Sequence, residues 1–136
     1  MFQILGIDHV VFRVRDLEAV VRFWGRALGC QVQHQQPALG LVHLRAGRAQ
    51  VDLVQVPEGE SRAASGEGNV AHLCLRLEPW DLAALEAHFA DLGIPVRWDA
   101  ANFGAEGVGP SLYLQDPEGN LLELKGPAAA SDIPKS

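Results

Sequence analysis

Two histidines that each open an apolar, strand-like run are the residues of this sequence with the clearest chemical potential. His9 opens HVVFRV and His72 opens HLCLRL, 63 positions further on. Each half of the chain also ends in a short apolar strand with one acid, Asp52 in VDL and Glu123 in LEL. Imidazole and carboxylate groups together bind Mn, Fe, Ni or Zn, so the pattern suggests one divalent metal ion as cofactor. For a single strand histidine, a structural role in the core or at its rim is the competing interpretation.

The segments that must position these side chains occur twice. Residues 7–14 alternate as a β-strand, and Asp16 is placed to cap the amphipathic helix that follows. Three short strands are then predicted, at 30–36, 41–45 and 49–56. The second copy has a strand at 70–77 and a helix that Pro79 opens and Gly93 closes. Its further strands are predicted at 94–98, 111–115 and 121–125.

This duplication predicts an α+β fold made of two βαβββ modules. Together the modules are expected to form one domain, residues 1–126. Module one covers 4–57, a polar linker 58–68, module two 69–126 and a flexible tail 127–136. If the first and last strands of a module lie side by side, the histidine and the acid of that module converge.

The most specific stretch is GVGPSLYLQDPEGNLLEL, residues 107–124. Its DPEG segment predicts a tight turn that pairs two strands and brings Glu123 back beside Tyr113. Tyr113 is therefore a candidate catalytic residue that hydrogen-bonds a developing oxyanion, and a strand tyrosine whose hydroxyl reaches water is the alternative. The glycine-rich residues before it, 99–110, predict either an ordinary connecting loop or a mobile flap over the site.

These motifs resemble the vicinal-oxygen-chelate superfamily, which includes glyoxalases, bleomycin-resistance proteins and extradiol dioxygenases. The segments that carry the resemblance are IDHVVFRVRD, the FW…ALG helix, VAHLCLRL and the DPEGNLLEL stretch, over about residues 4–125. The last of them is most similar to small fosfomycin-resistance-like and virulence-associated glyoxalase-like members. The resemblance implies a cup-shaped mixed sheet with the helices on the outside, around a metal held by His9, His72 and Glu123.

Two departures from the family pattern bear on the reaction. Several relatives place Glu or Gln where this chain has Asp52, whose side chain is one methylene shorter. Asp52 can therefore ligate the metal directly, ligate it through water, act as a catalytic general base, or do none of these. Extradiol dioxygenases carry a histidine several residues before the tyrosine, and this chain has FGAEGVG there. That difference disfavours ring-cleaving dioxygenation.

The remaining candidates share strand faces with the two histidines. Arg13 and Arg76 are candidates to bind an anionic group of the substrate, and an arginine that pairs with a carboxylate at a strand end is the alternative. Cys74 is interpreted as a small apolar filler in preference to a thiolate ligand. The other histidines have no corresponding acid or motif and are interpreted as structural or exposed; they are His34, His43 and His88.

The resemblance implies a divalent-metal-dependent enzyme of glyoxalase type, namely a lyase, an isomerase or an epoxide-opening enzyme. Its substrate would be a small molecule whose adjacent oxygens chelate the metal. An Fe(II) extradiol-type dioxygenase is the second possibility, and a non-catalytic small-molecule binding protein of bleomycin-resistance type is the third. The third needs no metal ligands, so the complete set His9, His72 and Glu123 argues against it.

Composition excludes several other classes of function. The formal net charge of −6 and the lack of a Lys/Arg cluster predict neither nucleic-acid nor membrane-surface binding. The two cysteines form no CxxC pair and no disulfide framework. The N-terminal residues carry no export signal, so a cytoplasmic location with reduced thiols is expected.

We predict a homodimer, because each module exposes edge strands unless another strand covers them. The site is then either contained in one chain or shared across two. Sedimentation equilibrium at micromolar concentration is expected to give twice the 14.7 kDa mass of the chain. A mass equal to that of one chain would contradict the prediction.

Overall fold

The computed structural model describes residues 3–5, 7–60 and 70–129. The chain divides into two compact units, Met1–Gly68 and Asn69–Ser136. In the described residues each unit has a four-stranded mixed sheet and one α-helix, so the predicted α+β class is confirmed. No helix among these residues is long and apolar enough to cross a membrane.

The first unit has the predicted order of elements. They are β1 (His9–Val14), α1 (Leu17–Leu28), β2 (Val32–Gln36), β3 (Leu41–Ala46) and β4 (Ala49–Gln55). The strand order in the sheet is β1-β4-β3-β2, with β1 parallel to β4 and the other pairs antiparallel. The first and last strands of the unit are therefore neighbours, as the convergence of His9 and Asp52 requires.

Local signals define both ends of α1. The Asp16 carboxylate accepts a hydrogen bond from the Ala19 backbone N–H at 3.0 Å, which satisfies one free donor of the first turn. Gly29 ends the helix with φ of 69°, a left-handed conformation that glycine adopts without strain. The buried stripe between these ends includes Val20 and Trp24, and the Trp24 ring lies 6.4 Å from that of Phe12 on β1. One face of the sheet thus packs against α1 in the core.

The second unit repeats the arrangement. Its elements are β5 (Leu73–Arg76), α2 (Leu82–Asp91), β6 (Arg97–Gly104), β7 (Gly107–Gln115) and β8 (Leu121–Lys125). The strand order is β5-β8-β7-β6, again with a parallel pair between the first and last strands. Phe89 of α2 is buried, as are four leucines of β7 and β8, so this sheet also has one apolar face; the leucines are Leu112, Leu114, Leu122 and Leu124.

The predicted start of the helix in the second unit is wrong. The helix begins at Leu82 and not at Pro79, because Asp81 caps it by accepting from the Ala84 backbone N–H at 3.1 Å. The predicted linker at 58–68 lies within the described residues only as far as residue 60, and the predicted tail only from 127 to 129.

The glycine-rich stretch 99–110 is not a loop but most of a β-hairpin formed by β6 and β7. Its glycines allow close packing. A Cβ atom at Gly104 would lie 2.5 Å from Cε of Lys125, and one at Gly109 would lie 2.6 Å from the Pro127 carbonyl oxygen. The absence of a side chain, and not flexibility, is what the hairpin requires at these positions.

Strand register places the two acids in equivalent positions. The residues opposite one another across β1, β4 and β3 are Val11, Asp52 and His43. The corresponding row across β5, β8 and β7 is Cys74, Glu123 and Tyr113. In both units this row lies on the face opposite the apolar core, because side chains alternate along each strand. The duplicated sequence therefore produces two polar sheet faces, each with one buried carboxylate.

Replacing Trp24 with alanine is expected to lower the free energy of unfolding by about 3–5 kcal/mol, because the change leaves a cavity in the core. Trp98→Ala is the matched control, since Trp98 is 42% exposed while Trp24 is fully buried. The free energy of unfolding lost in Trp98→Ala should be less than half of that lost in Trp24→Ala. Urea denaturation followed by circular dichroism measures both values, and equal losses would contradict the packing role of Trp24.

Candidate functional site

His72 and Glu123 meet on the polar face of the second unit. Because β5 and β8 are parallel with Cys74 opposite Glu123, the histidine two residues before Cys74 lies on the same face. The distance between His72 Nε2 and Glu123 Oε2 is 3.1 Å. The Glu123 side chain is 8% exposed and that of His72 is 39% exposed. The His72 imidazole is therefore accessible to solvent, whereas the Glu123 carboxylate that it contacts is almost fully buried.

Ser111 fixes the other oxygen of Glu123. The Ser111 hydroxyl donates to Glu123 Oε1 at 2.6 Å, and Ser111 is fully buried on β7. A hydrogen bond to a carboxylate at this distance is a strong, charge-assisted one. A buried carboxylate is costly without such partners. The orientation of Glu123 is therefore set by the sheet before any ligand arrives.

Tyr113 completes this group of side chains. It lies opposite Glu123, and its ring meets that of His72 edge-on with centroids 6.2 Å apart. The Arg97 guanidinium lies 4.3 Å from the centroid of the tyrosine ring. Burial, with the charge and hydrogen bonding of Glu123, raises the pKa of Tyr113, and Arg97 opposes this effect. The hydroxyl therefore remains protonated at neutral pH and can donate a hydrogen bond.

Cys74 lies in the same row but is poorly suited to bind a metal as a thiolate. Burial first, and then the negative charge of Glu123, raise the pKa of Cys74 to about 11. The thiolate is the form that ligates metals and attacks electrophiles. At neutral pH Cys74 is a neutral thiol, but it is exposed, so its interpretation as a small buried filler is wrong.

In the first unit, His9 is oriented by its neighbour Asp8. The distance from His9 Nδ1 to Asp8 Oδ1 is 2.7 Å, so Nδ1 carries the proton and Nε2 of the neutral ring has a free lone pair. This hydrogen bond raises the pKa of His9, and the charge of Asp52 adds to the effect while desolvation opposes it. A carboxylate behind an imidazole is the usual support of a histidine that ligates a metal.

Asp52 lies at the centre of a buried polar network. Its Oδ1 is 2.8 Å from His43 Nδ1 and accepts a hydrogen bond from Gln50 Nε2 at 2.8 Å. On the other side of the imidazole, Gln36 Nε2 is 3.0 Å from His43 Nε2. Gln50 Nε2 also lies 3.1 Å from His43 Nδ1, so the imidazole is held between two glutamine amides and the Asp52 carboxylate.

The interpretation of His43 as a histidine without an acid partner is wrong. The Gly47–Arg48 turn pairs Ala46 with Ala49, and that register puts His43 directly opposite Asp52. Counting outward from this turn in the sequence would have found the pair. His34 stacks on the His43 ring with centroids 5.5 Å apart, while His88 lies beside Phe89 on α2.

The two candidate arginines lie at different places. Arg13 is exposed on β1, on the same face as His9. Arg76 forms an ion pair with Glu106, with 3.1 Å between Nε and Oε2, and a longer one with Glu78 at 3.7 Å. Arg76 borders a cavity of about 310 Å³ in the second unit, which His72 and Glu123 also line.

His72, Glu123 and Tyr113 thus lie together in the second unit. In the first unit, the negative charge of Asp52 helps to raise the pKa of His9. Within the described residues no cluster of three or more His, Cys, Asp or Glu side chains is arranged to hold a metal ion. The candidate ligands occur there as a pair, His72 with Glu123. The partners that fix the two acids, Ser111 and Gln50, were not identified from sequence.

Comparison with known proteins shows which family and which individual proteins this chain is similar to. Residues 6–124 match the family model described as the Glyoxalase/Bleomycin resistance protein/Dioxygenase superfamily. Virulence protein STM3117 of Salmonella typhimurium is 31% identical over 121 residues, which are 87% of this chain and 81% of that protein. Its crystal structure aligns with a TM-score of 0.78 and 26% identity, covering 93% of this chain and 100% of the other.

Two further relatives show the same extent of similarity. Integron cassette protein VCH_CASS1, from the mobile metagenome of V. cholerae, aligns with a TM-score of 0.76 and 27% identity, over 93% of this chain and 98% of the other. Metallothiol transferase FosB of Bacillus licheniformis is 25% identical over 122 residues, which are 90% of this chain and 75% of FosB. The similarity therefore extends over almost the whole described chain.

The ionisation of Tyr113 can be measured directly, because it is the single tyrosine of the chain. In metal-free protein we expect its midpoint, read from tyrosinate absorbance, to lie above the ordinary value of 10.0. Glu123→Gln should lower the midpoint by removing a like charge, and Arg97→Met should raise it by removing an opposing cation. Glu86→Gln on the exposed face of α2 is the control; if it shifts the midpoint as much as Glu123→Gln does, the local explanation fails.

Proposed function

This chain belongs to the Glyoxalase/Bleomycin resistance protein/Dioxygenase superfamily, and on that premise we propose that it is a divalent-metal-dependent enzyme of glyoxalase type. The proposed reaction is that of a lyase, an isomerase or an epoxide-opening enzyme. Its substrate is a small molecule that presents two adjacent oxygens. The observation that supports this proposal best is the close pair formed by His72 and the buried Glu123.

The chemistry of this pair suits a metal ion. Neighbouring ligand atoms around a divalent ion with bonds of about 2.0–2.2 Å lie roughly 3 Å apart, and His72 Nε2 and Glu123 Oε2 are separated by 3.1 Å. One imidazole and one carboxylate are donors that Mn, Fe, Ni and Zn accept. We propose His9 as the third protein ligand, as the family resemblance implies, with Nε2 available because Asp8 holds Nδ1.

When bound, the ion supplies Lewis-acid polarisation of the substrate oxygens. Side chains of this chain orient the carboxylate ligand and donate a hydrogen bond to the substrate. Ser111 holds Glu123 in one orientation, so the carboxylate needs little rearrangement when a ligand arrives. Tyr113, which remains protonated at neutral pH, donates a hydrogen bond to an oxygen that gains negative charge.

Asp52 is the proposed general base. Its Oδ1 accepts hydrogen bonds from His43 and Gln50, so that oxygen is occupied and the carboxylate is held in place. A base fixed by neighbours meets the geometric requirement of proton transfer better than a mobile one does. Arg13 and Arg76 are proposed to bind the substrate.

Metal binding tests the proposal. Purified protein loaded with Mn(II) and then freed of excess metal is expected to retain about one ion per chain, as measured by elemental analysis. His72→Ala removes a proposed ligand and should reduce retention at least tenfold. His88→Ala is the matched control, since His88 is an exposed residue of α2, and it should retain metal like the wild type.

The outcomes separate the candidate functions. Retention of metal by His72→Ala would contradict the proposed site. Loaded protein can then be assayed with 2-oxoaldehydes, epoxides and catechols, and oxygen uptake with catechols alone would favour a dioxygenase over the proposed reaction. Tight binding of a small molecule by protein that retains no metal would instead favour a bleomycin-resistance-type binding protein.

A further inference from the structure

A cavity of about 310 Å³ lies in the second unit, on the polar face of its sheet. Its lining combines strand residues of β5 and β8 with the tip of the β6–β7 hairpin: His72, Cys74, Arg76, Phe103, Gly104, Ala105, Glu106, Glu123, Lys125 and Gly126. The volume is at the lower end of the range for ligand pockets, about 300–1,000 Å³. The cavity therefore suits a small molecule that lies against the His72–Glu123 pair.

The cavity wall contains a buried cation, Lys125. Its side chain is 5% exposed, and its ammonium group donates to the backbone carbonyl oxygens of Asn102 and of Gly109, the latter at 3.2 Å. Among the described residues no carboxylate lies within ion-pair distance of this ammonium group. Gly104 makes the placement possible, because any Cβ there would overlap the lysine stem. The positive charge is thus built into the wall and is not neutralised by an acid at contact distance.

The second cation of the wall, Arg76, is occupied by a carboxylate from the hairpin tip. Glu106 belongs to the two-residue turn between β6 and β7, and its Oε2 lies 3.1 Å from Nε of Arg76. The Glu106 side chain is 57% exposed, and an exposed ion pair of this kind contributes little net stability. A competing anion can therefore replace Glu106 without a large loss of stability.

We propose that Glu106 is an internal substitute for the anionic group of the substrate, and that the cavity binds a small carboxylate or phosphonate which displaces Glu106 from Arg76. The planar guanidinium group recognises both kinds of anion through paired N–H donors. Lys125 adds a second positive charge to the cavity wall. This charge attracts an anion inside the cavity, whereas Glu106, at the rim of the cavity, does not contact it. This inference deepens the proposed function, because it assigns a charge to the substrate.

Anion binding by metal-free protein tests the inference separately from metal chemistry. Lactate and methylphosphonate are titrated into EDTA-treated protein, with uncharged lactamide as the reference compound, and Kd is obtained from amide chemical shifts. Glu106→Gln should bind lactate, methylphosphonate or both about 2- to 5-fold more tightly than the wild type, because the tethered competitor is gone. Arg76→Met should weaken the same binding about tenfold or more.

Glu78→Gln is the matched control. It removes the same charge from the other acid partner of Arg76, at 3.7 Å, but Glu78 does not line the cavity. Its Kd should equal that of the wild type. Equal tightening by both variants, equal affinity for lactamide, or no saturable binding of either anion by Glu106→Gln would each overturn the proposal. Because no metal is present, these results do not depend on whether His72→Ala loses its ion.

Discussion

Parallel pairing between the first and last strands of each unit is the constraint on which the candidate site depends. The β5–β8 ladder brings together His72 and Glu123, which are 51 residues apart in sequence. The β1–β4 ladder places His9 and Asp52 on one face of the first sheet, where the charge of Asp52 raises the pKa of His9. Each ladder also buries one acid, Asp52 or Glu123, on the polar face of its sheet. Buried carboxylates need hydrogen-bond donors, and residues of the neighbouring strands supply them.

The two copies meet this need differently. Glu123 is long enough to reach both a serine and a histidine, and each of its oxygens has a separate partner. Asp52 is shorter and has two partners at one oxygen, His43 and Gln50, both of which lie on its own strand or the next. One scaffold position therefore gives an acid beside a solvent-accessible imidazole in one unit and an acid inside a polar network in the other.

Much of the fold was predictable because its signals are local. Asp16 and Gly29 mark the ends of α1, and the DPEG turn sets the register that puts Tyr113 opposite Glu123. The failures concern relations across strands. Glycines in 99–110 suggest a loop, but they are required where the backbone approaches Lys125 and Pro127. The partners of the acids were missed for the same reason, since they depend on register at the Gly47–Arg48 turn and on the side-chain contacts of Ser111.

The network around Asp52 connects three of the four strands of the first sheet. Gln36 donates to Nε2 of His43, and Nδ1 of the same ring faces Asp52. The His43 ring on β3 therefore connects Gln36 of β2 to the Asp52 carboxylate of β4. Gln36 is the last residue of β2 and immediately precedes a short 3₁₀ helix, Pro37–Leu39. A displacement of the outermost strand β2 would thus be transmitted through the His43 ring to the carboxylate of β4.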